Sequence, residues 1–154
     1  VNPPLRTESD VMALREALAD GTIDVVGTDH APHPSEAKEC EWQDAAFGML
    51  GLETAFSIVY TTMVKSGLIS LDTLVERMST KPAEIGRYKE HGKNLSVGSP
   101  AHCVVIDPTA TWRVDKDKVQ SKSRNTPFHG MELSSSITDT IFRGNFVLRD
   151  GKVL

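Results

Sequence analysis

The sequence predicts an α/β chain with a β-rich C-terminal stretch, and two observations carry that prediction. Over the first 86 residues, segments of helical periodicity alternate with one short β-branched apolar run, the rhythm of a parallel α/β fold. Beyond Gly86 that periodicity stops. Gly92, Gly98 and Pro100 punctuate the chain, and extended runs are separated by short turn signals.

The elements follow in order. Thr7 followed by Asp10 approximates a capping box, and Val11, Leu14 and Leu18 share one stripe, which predicts a helix over 7–19 stopped by Gly21. Residues 22–27, Thr-Ile-Asp-Val-Val-Gly, read as a buried strand. It runs into Thr28-Asp29-His30-Ala31-Pro32-His33-Pro34, where two prolines forbid regular structure, so this polar cluster occupies a loop past the strand's C-terminal end. A charged loop with Glu36, Lys38, Glu39 and Glu41 leads to Phe47-Gly48-Met49. Residues 52–65 read as a helix that is apolar nearly all round, and Gly67 ends it. Ser70 caps a third helix with Leu71, Leu74, Val75 and Met78 on one face, and Pro82 opens a short fourth. In the tail, 103–108 reads as a strand, and 137–142 and 146–148 flank Gly144-Asn145 as a hairpin, with Asp150-Gly151 a second turn.

Composition excludes several function classes. Seventeen basic against 21 acidic residues give a net charge of −4, which argues against a nucleic-acid or anionic-membrane partner. No apolar run approaches the roughly 20 residues of a membrane span, and no secretory signal precedes the first helix. Cys40 and Cys103 match no zinc or disulfide spacing, so a reducing, cytoplasmic setting is the default. The chain opens at Val1-Asn2-Pro3-Pro4 without Met and closes within a strand-like run, and is expected to be a piece of a longer polypeptide.

Chemistry concentrates at Asp29, His30 and His33. A carboxylate at the C-terminal end of a parallel strand is where α/β barrels place reacting groups, and Asp and His are zinc ligands and acid–base groups. The pattern alone fits equally a surface loop whose Asp caps a turn. His91 sits among charges in what reads as a solvated turn, while His102 and His129 read as structural or surface residues. Cys40 has no basic partner beyond Lys38 and gets no nucleophilic role. Asn2, held extended by the prolines, suits presenting an amide or starting a turn, and Phe47-Gly48 a tight turn before a helix.

Three motifs taken together narrow the choice. Asn2-Pro3-Pro4-Leu5-Arg6, Thr28-Asp29-His30-Ala31-Pro32-His33 and Phe47-Gly48-Met49-Leu50-Gly51-Leu52-Glu53-Thr54 resemble the C-terminal part of bacterial dihydroorotases, members of the zinc-dependent amidohydrolase superfamily. The resemblance continues through Lys81-Pro82-Ala83, Val97-Gly98-Ser99-Pro100-Ala101 and Ser123-Arg124-Asn125-Thr126-Pro127-Phe128, and so covers the whole chain. Hydantoinases and allantoinases also place an Asp after this strand, but the Asn2 amide and His33, four residues past Asp29, favour dihydroorotases.

The resemblance implies the last strand–helix unit of a (β/α)8 amidohydrolase barrel over 1–86, followed by part of a small β-sandwich module over 87–154. It implies zinc, with Asp29 as one ligand and as general acid/base. It makes Asn2, His33, Phe47 and Gly48 the substrate-binding positions, in the reversible conversion of N-carbamoyl-L-aspartate to L-dihydroorotate. The family's His-x-His pair, further zinc-binding histidines and substrate-pairing Arg lie upstream of the position of Asn2, and a whole barrel takes about 250 residues. This stretch alone is therefore expected to be inactive. A homodimer and an association with aspartate carbamoyltransferase are the partner arrangements implied. The alternative is a catalytically silent scaffold serving that transferase, or a hydantoinase/allantoinase-type relative.

Overall fold

The computed structural model describes all 154 residues, Val1–Leu154, as five short α-helices followed by one four-stranded antiparallel sheet. The first helix, α1, spans Glu8–Asp20. The Thr7 hydroxyl accepts the Asp10 N–H at 3.4 Å, and the Asp10 carboxylate accepts the Thr7 N–H at 3.0 Å, the reciprocal cap expected from the sequence. Bonds from the Thr7 hydroxyl and N–H hold the Asp10 carboxyl below the usual carboxylate range. Gly21 closes α1 at φ 91°. No basic residue stands in the last turn of α1; the buried Arg77 donates from Nε to the Leu18 carbonyl at 3.2 Å in its place.

The run over 22–27 corrects the strand expected there. It joins no ladder: Thr22 and Ile23 form a bend and residues 24–29 have no regular structure. Its anchors are Ile23 N–H to the Ala17 carbonyl at 2.9 Å and Val26 N–H to the Arg77 carbonyl at 3.2 Å. One parallel bridge follows, between His30 and Met49. β-Branched residues favour an extended backbone locally, but a ladder also needs a neighbouring strand.

In the stretch expected to be loop, Ser35–Lys38 forms one helical turn, α2. The next helix starts later than its apolar pattern: α3 spans Ala55–Val59 and widens into a π-helical turn over Tyr60–Val64. There the Thr61 and Thr62 hydroxyls donate to carbonyls four residues back, at 2.6 and 2.7 Å, in competition with the backbone ladder. α4, Leu71–Val75, is capped as expected by Ser70, whose hydroxyl accepts the Thr73 N–H at 3.0 Å. A second π-helical turn, Glu76–Thr80, leads into α5, Lys81–Ile85, with Pro82 in its first turn. Leu74 is fully covered, whereas Leu71 and Val75 face outward, so the buried stripe is narrower than predicted. Leu18, Val59, Met63, Ile69 and Leu74 form the core between these helices.

The sheet runs in the order β1 (Cys103–Arg113), β2 (Glu132–Phe142), β3 (Asn145–Arg149) and β4 (Lys152–Val153). Phe142 pairs with Asn145, which places the first tight turn at Arg143-Gly144, one residue before the expected Gly144-Asn145. Both its residues have positive φ, 50° and 80°, as a type I′ turn requires. The second turn, Asp150-Gly151, is where the sequence puts it. β1 and β2 run longer than predicted and slip register between Asp107 and Thr111, opposite Ser134–Ser136.

A polar seam joins sheet to helix at that irregularity. Ser57 donates from Oγ to the Ser135 carbonyl at 3.0 Å, Ser134 N–H donates to Thr61 Oγ1 at 2.9 Å, and Lys65 Nζ donates to Ser134 Oγ at 2.7 Å. Ser57, Thr61 and Lys65 are four residues apart and share one helix face.

Candidate active site

Two loops meet beyond the end of the run over 22–27. The first carries Asp29, His30 and His33, and the second carries Phe47 and Gly48. Asp29 is exposed and held at φ 45°, a left-handed conformation that Asp tolerates better than most side chains. His30 is committed elsewhere: its Nδ1 accepts the N–H groups of Gly51 and Leu52 at 3.1 and 3.3 Å. A ring nitrogen that accepts N–H bonds carries no proton, so His30 ties the first loop to the second. The Ala31 N–H adds a bond to the Met49 carbonyl at 2.9 Å.

The His33 ring lies directly against Gly48. A Cβ built on Gly48 would come within 2.9 Å of His33 Nε2 and 2.6 Å of the Ala31 Cβ. With φ at 132° as well, only glycine fits. The Gly48 carbonyl accepts from Lys38 Nζ and from Asn125 Nδ2, each at 3.2 Å, so both of its lone pairs are engaged. Phe47 projects with 66% of its surface exposed. The structure thus gathers His33 and Gly48 and sets Asp29 on the same loop as His33. Asn2 lies exposed in the segment before α1 and makes none of the hydrogen bonds that join these loops.

Sequence reasoning missed Lys38 and Asn125 as parts of this region. Lys38 reads there as one charge in a polar loop, yet its ammonium also binds the Ala46 carbonyl at 2.7 Å and closes the base of the loop it precedes. Asn125 lies 77 residues from Gly48, and no local pattern marks a contact across that distance.

The other histidines are structural. His91 and His102 pack with ring centroids 4.2 Å apart and planes tilted by 39°, and the Phe142 ring lies 4.9 Å from His102. His129 Nδ1 accepts the Lys116 N–H at 3.1 Å. No three His, Cys, Asp or Glu side chains in this chain stand close enough to enclose a metal ion. Asp29 offers one donor of the oxygen type zinc accepts, short of the three a catalytic zinc takes from protein.

A family model described as the amidohydrolase family matches residues 2–147. The dihydroorotase of Streptomyces coelicolor is 56% identical over 99% of this chain, and that of Mycobacterium tuberculosis is 51% identical over the same share. The chain spans 36% of the length of each. Among solved structures, the L-hydantoinase (dihydropyrimidinase) from Arthrobacter aurescens superposes with a TM-score of 0.92 at 39% identity, covering all of this chain and 35% of that one. The dihydropyrimidinase from Brevibacillus agri gives the same TM-score at 30% identity, covering 99% of this chain and 34% of that one. With the family pattern running through nearly every residue, and the loops that carry Asp29 and His33 inside it, the chain belongs to the amidohydrolase family.

Proposed function

We propose that this chain is part of a dihydroorotase, which closes N-carbamoyl-L-aspartate reversibly to L-dihydroorotate and water in the cytoplasm. The observation that carries the reading is identity of 56% and 51% to two dihydroorotases along essentially the whole chain, against 39% and 30% to the two hydantoinase-type structures. Residues 1–86 supply the final strand–helix unit of a (β/α)8 barrel, and 87–154 belong to a composite β module. An open apolar groove of about 360 Å³, between α1 and the run over 22–27, supports that assignment: Leu14, Val25 and Val26 line a face suited to further strands of a barrel.

Each residue then has a distinct task. In the hydrolytic direction Asp29 takes the proton of the water that attacks the ring carbonyl and delivers it to the departing ring nitrogen. His33 and Asn2 hold the substrate's polar groups by hydrogen bonds, and the Phe47-Gly48 backbone lies against the ring. With the Gly48 carbonyl engaged by Lys38 and Asn125, the N–H is the polar group of Gly48 left for a ligand. Asp29 would hold a zinc ion together with ligands this chain does not contain; such an ion would lower the pKa of its bound water toward neutrality and polarise the carbonyl.

The protein at its full encoded length is assayed against dihydroorotate, hydantoin and allantoin, alongside its Asn2→Ala and His33→Ala variants. Preference for dihydroorotate is expected, and each variant is expected to lose roughly 10–150-fold in kcat/KM, the worth of one hydrogen bond to a charged group. A preference for hydantoin or allantoin overturns the assignment.

A further inference from the structure

Resting on the reading above, we infer that Asn125 is a positioning residue for the active site, an amide that, beside the His30 tie, fixes the Ala31–His33 stretch of one loop against Gly48 of the other. Its Nδ2 donates to the Ala31 carbonyl at 3.1 Å and to the Gly48 carbonyl at 3.2 Å. Its Oδ1 faces the His33 N–H at 3.5 Å, and its own backbone carbonyl accepts the Leu50 N–H at 3.2 Å. One residue thereby touches both loops through four atoms, two of them carbonyl oxygens that no other side chain brings together. The side chain is partly buried, so these bonds compete with little water.

The bonds also explain why the residue is an amide. Two carbonyl acceptors and one N–H donor need a group with two N–H bonds on one side and an oxygen on the other, which only Asn and Gln carry. An Asp would turn an anionic oxygen toward two carbonyl oxygens. Asn125 reaches the site from the long connection between β1 and β2, and that connection is fastened nearby by a second clasp: the Glu53 carboxylate accepts the N–H groups of Gln120 and Ser121 at 2.9 and 3.1 Å. Lys38 reaches the Gly48 carbonyl from the other side but does not touch the Ala31 loop. The placement of His33 directly against Gly48, where the two together would meet one edge of a substrate ring, therefore depends on Asn125.

The test compares Asn125→Ala, Asn125→Asp and Lys38→Met with the parent, all at full encoded length, each measured for Tm, bound zinc, and kcat and KM for dihydroorotate. For Asn125→Ala the expected result is an increase in KM of about tenfold or more, the equivalent of one lost hydrogen bond near 1.4 kcal/mol. Zinc content is expected to stay at the parent's value, and kcat to fall less than KM rises. Asn125→Asp is expected to be worse than Ala near pH 8. It should recover toward the parent's KM as the pH falls and the carboxyl gains a proton it can donate to one carbonyl. Lys38→Met is expected to raise KM less than either. A folded, zinc-replete Asn125→Ala protein with the parent's KM overturns the proposal, as does a lowered Tm with KM unchanged or an Asp variant whose KM ratio to the parent ignores pH. Failure of the parent itself to turn over dihydroorotate would count instead against the proposed reaction.

Discussion

The runs Ile23-Asp24-Val25-Val26 and Cys103-Val104-Val105-Ile106 have closely similar compositions, and the molecule treats them differently. The second is hydrogen-bonded along β2, with Cys103 opposite Ile141 and Val105 opposite Asp139. The first joins no ladder; it is held by two backbone bonds and leads straight into the Asp29 loop. Side-chain branching favours an extended backbone in both, while the ladder is a property of the neighbour. The laddered run belongs to the sheet, and the unladdered one leads into the loop proposed to carry the chemistry.

That division is breakable at either end. The largest effect is expected at the chemical end: Asp29→Asn in the full-length protein should lose about 10²–10⁴-fold in turnover while Tm hardly moves, since the side chain is exposed. A fully metallated Asp29→Asn protein with near-normal kcat would place the proton transfer elsewhere. At the laddered end, Leu133→Ala should cost about 2–5 kcal/mol of unfolding free energy in denaturant titration, because Leu133 is completely buried in β2. Activity per folded molecule should survive that change.

Between these lies Arg77, which substitutes for the missing ladder. Its guanidinium binds the Leu18 carbonyl and its own carbonyl accepts the Val26 N–H. Arg77→Met should cost about 2–3 kcal/mol and, unlike Leu133→Ala, should speed hydrogen exchange at Val26. Equal exchange rates at Val26 in the two variants would erase the distinction between the regions.

The legible parts of this molecule are those whose causes are close in sequence. The Thr7–Asp10 cap, the Ser70 cap and the Asp150-Gly151 turn involve residues no more than three apart, and each is where the sequence puts it. The Asp29 loop was legible as a loop because its prolines act locally. The missing ladder at 22–27, the π-helical turns and the reach of Asn125 are settled by partners tens of residues away, or by competition among several hydroxyls. His91 and His102 show the same limit: the first reads as part of a solvated turn and the second as a structural or surface residue, and only the path of the chain brings them into contact.

The smallest effects come from two carboxylates, one in each region. Asp20 accepts the Thr22 N–H at 2.8 Å at the entrance to the unladdered run, and Asp107 accepts the Thr109 hydroxyl and N–H at 2.7 and 2.8 Å within β1. The Thr22 N–H lowers the first below the usual carboxylate range, and the Thr109 hydroxyl lowers the second. A depressed folded-state pKa gives stability that is present above the unfolded value, about 3.9, and is lost as pH falls through the folded one. Asp20 is exposed and Asp107 only half-buried, so Asp20→Asn and Asp107→Asn should each flatten the acid limb of a Tm-against-pH curve only slightly below pH about 4. An effect of either at pH 7 larger than its effect at pH 3 would reverse the sign argued here.

The seam between helix and sheet has a consequence for protein engineering. Three of its four bonds, one from Ser57 and two at Thr61, address main-chain atoms of residues 134 and 135 and read no side chain there. The helix therefore recognises the path of the kinked strand and is indifferent to most of what that strand displays. A sheet borrowed from a distant relative would dock here if it kept the kink, which makes the joint a natural crossover point for chimeras.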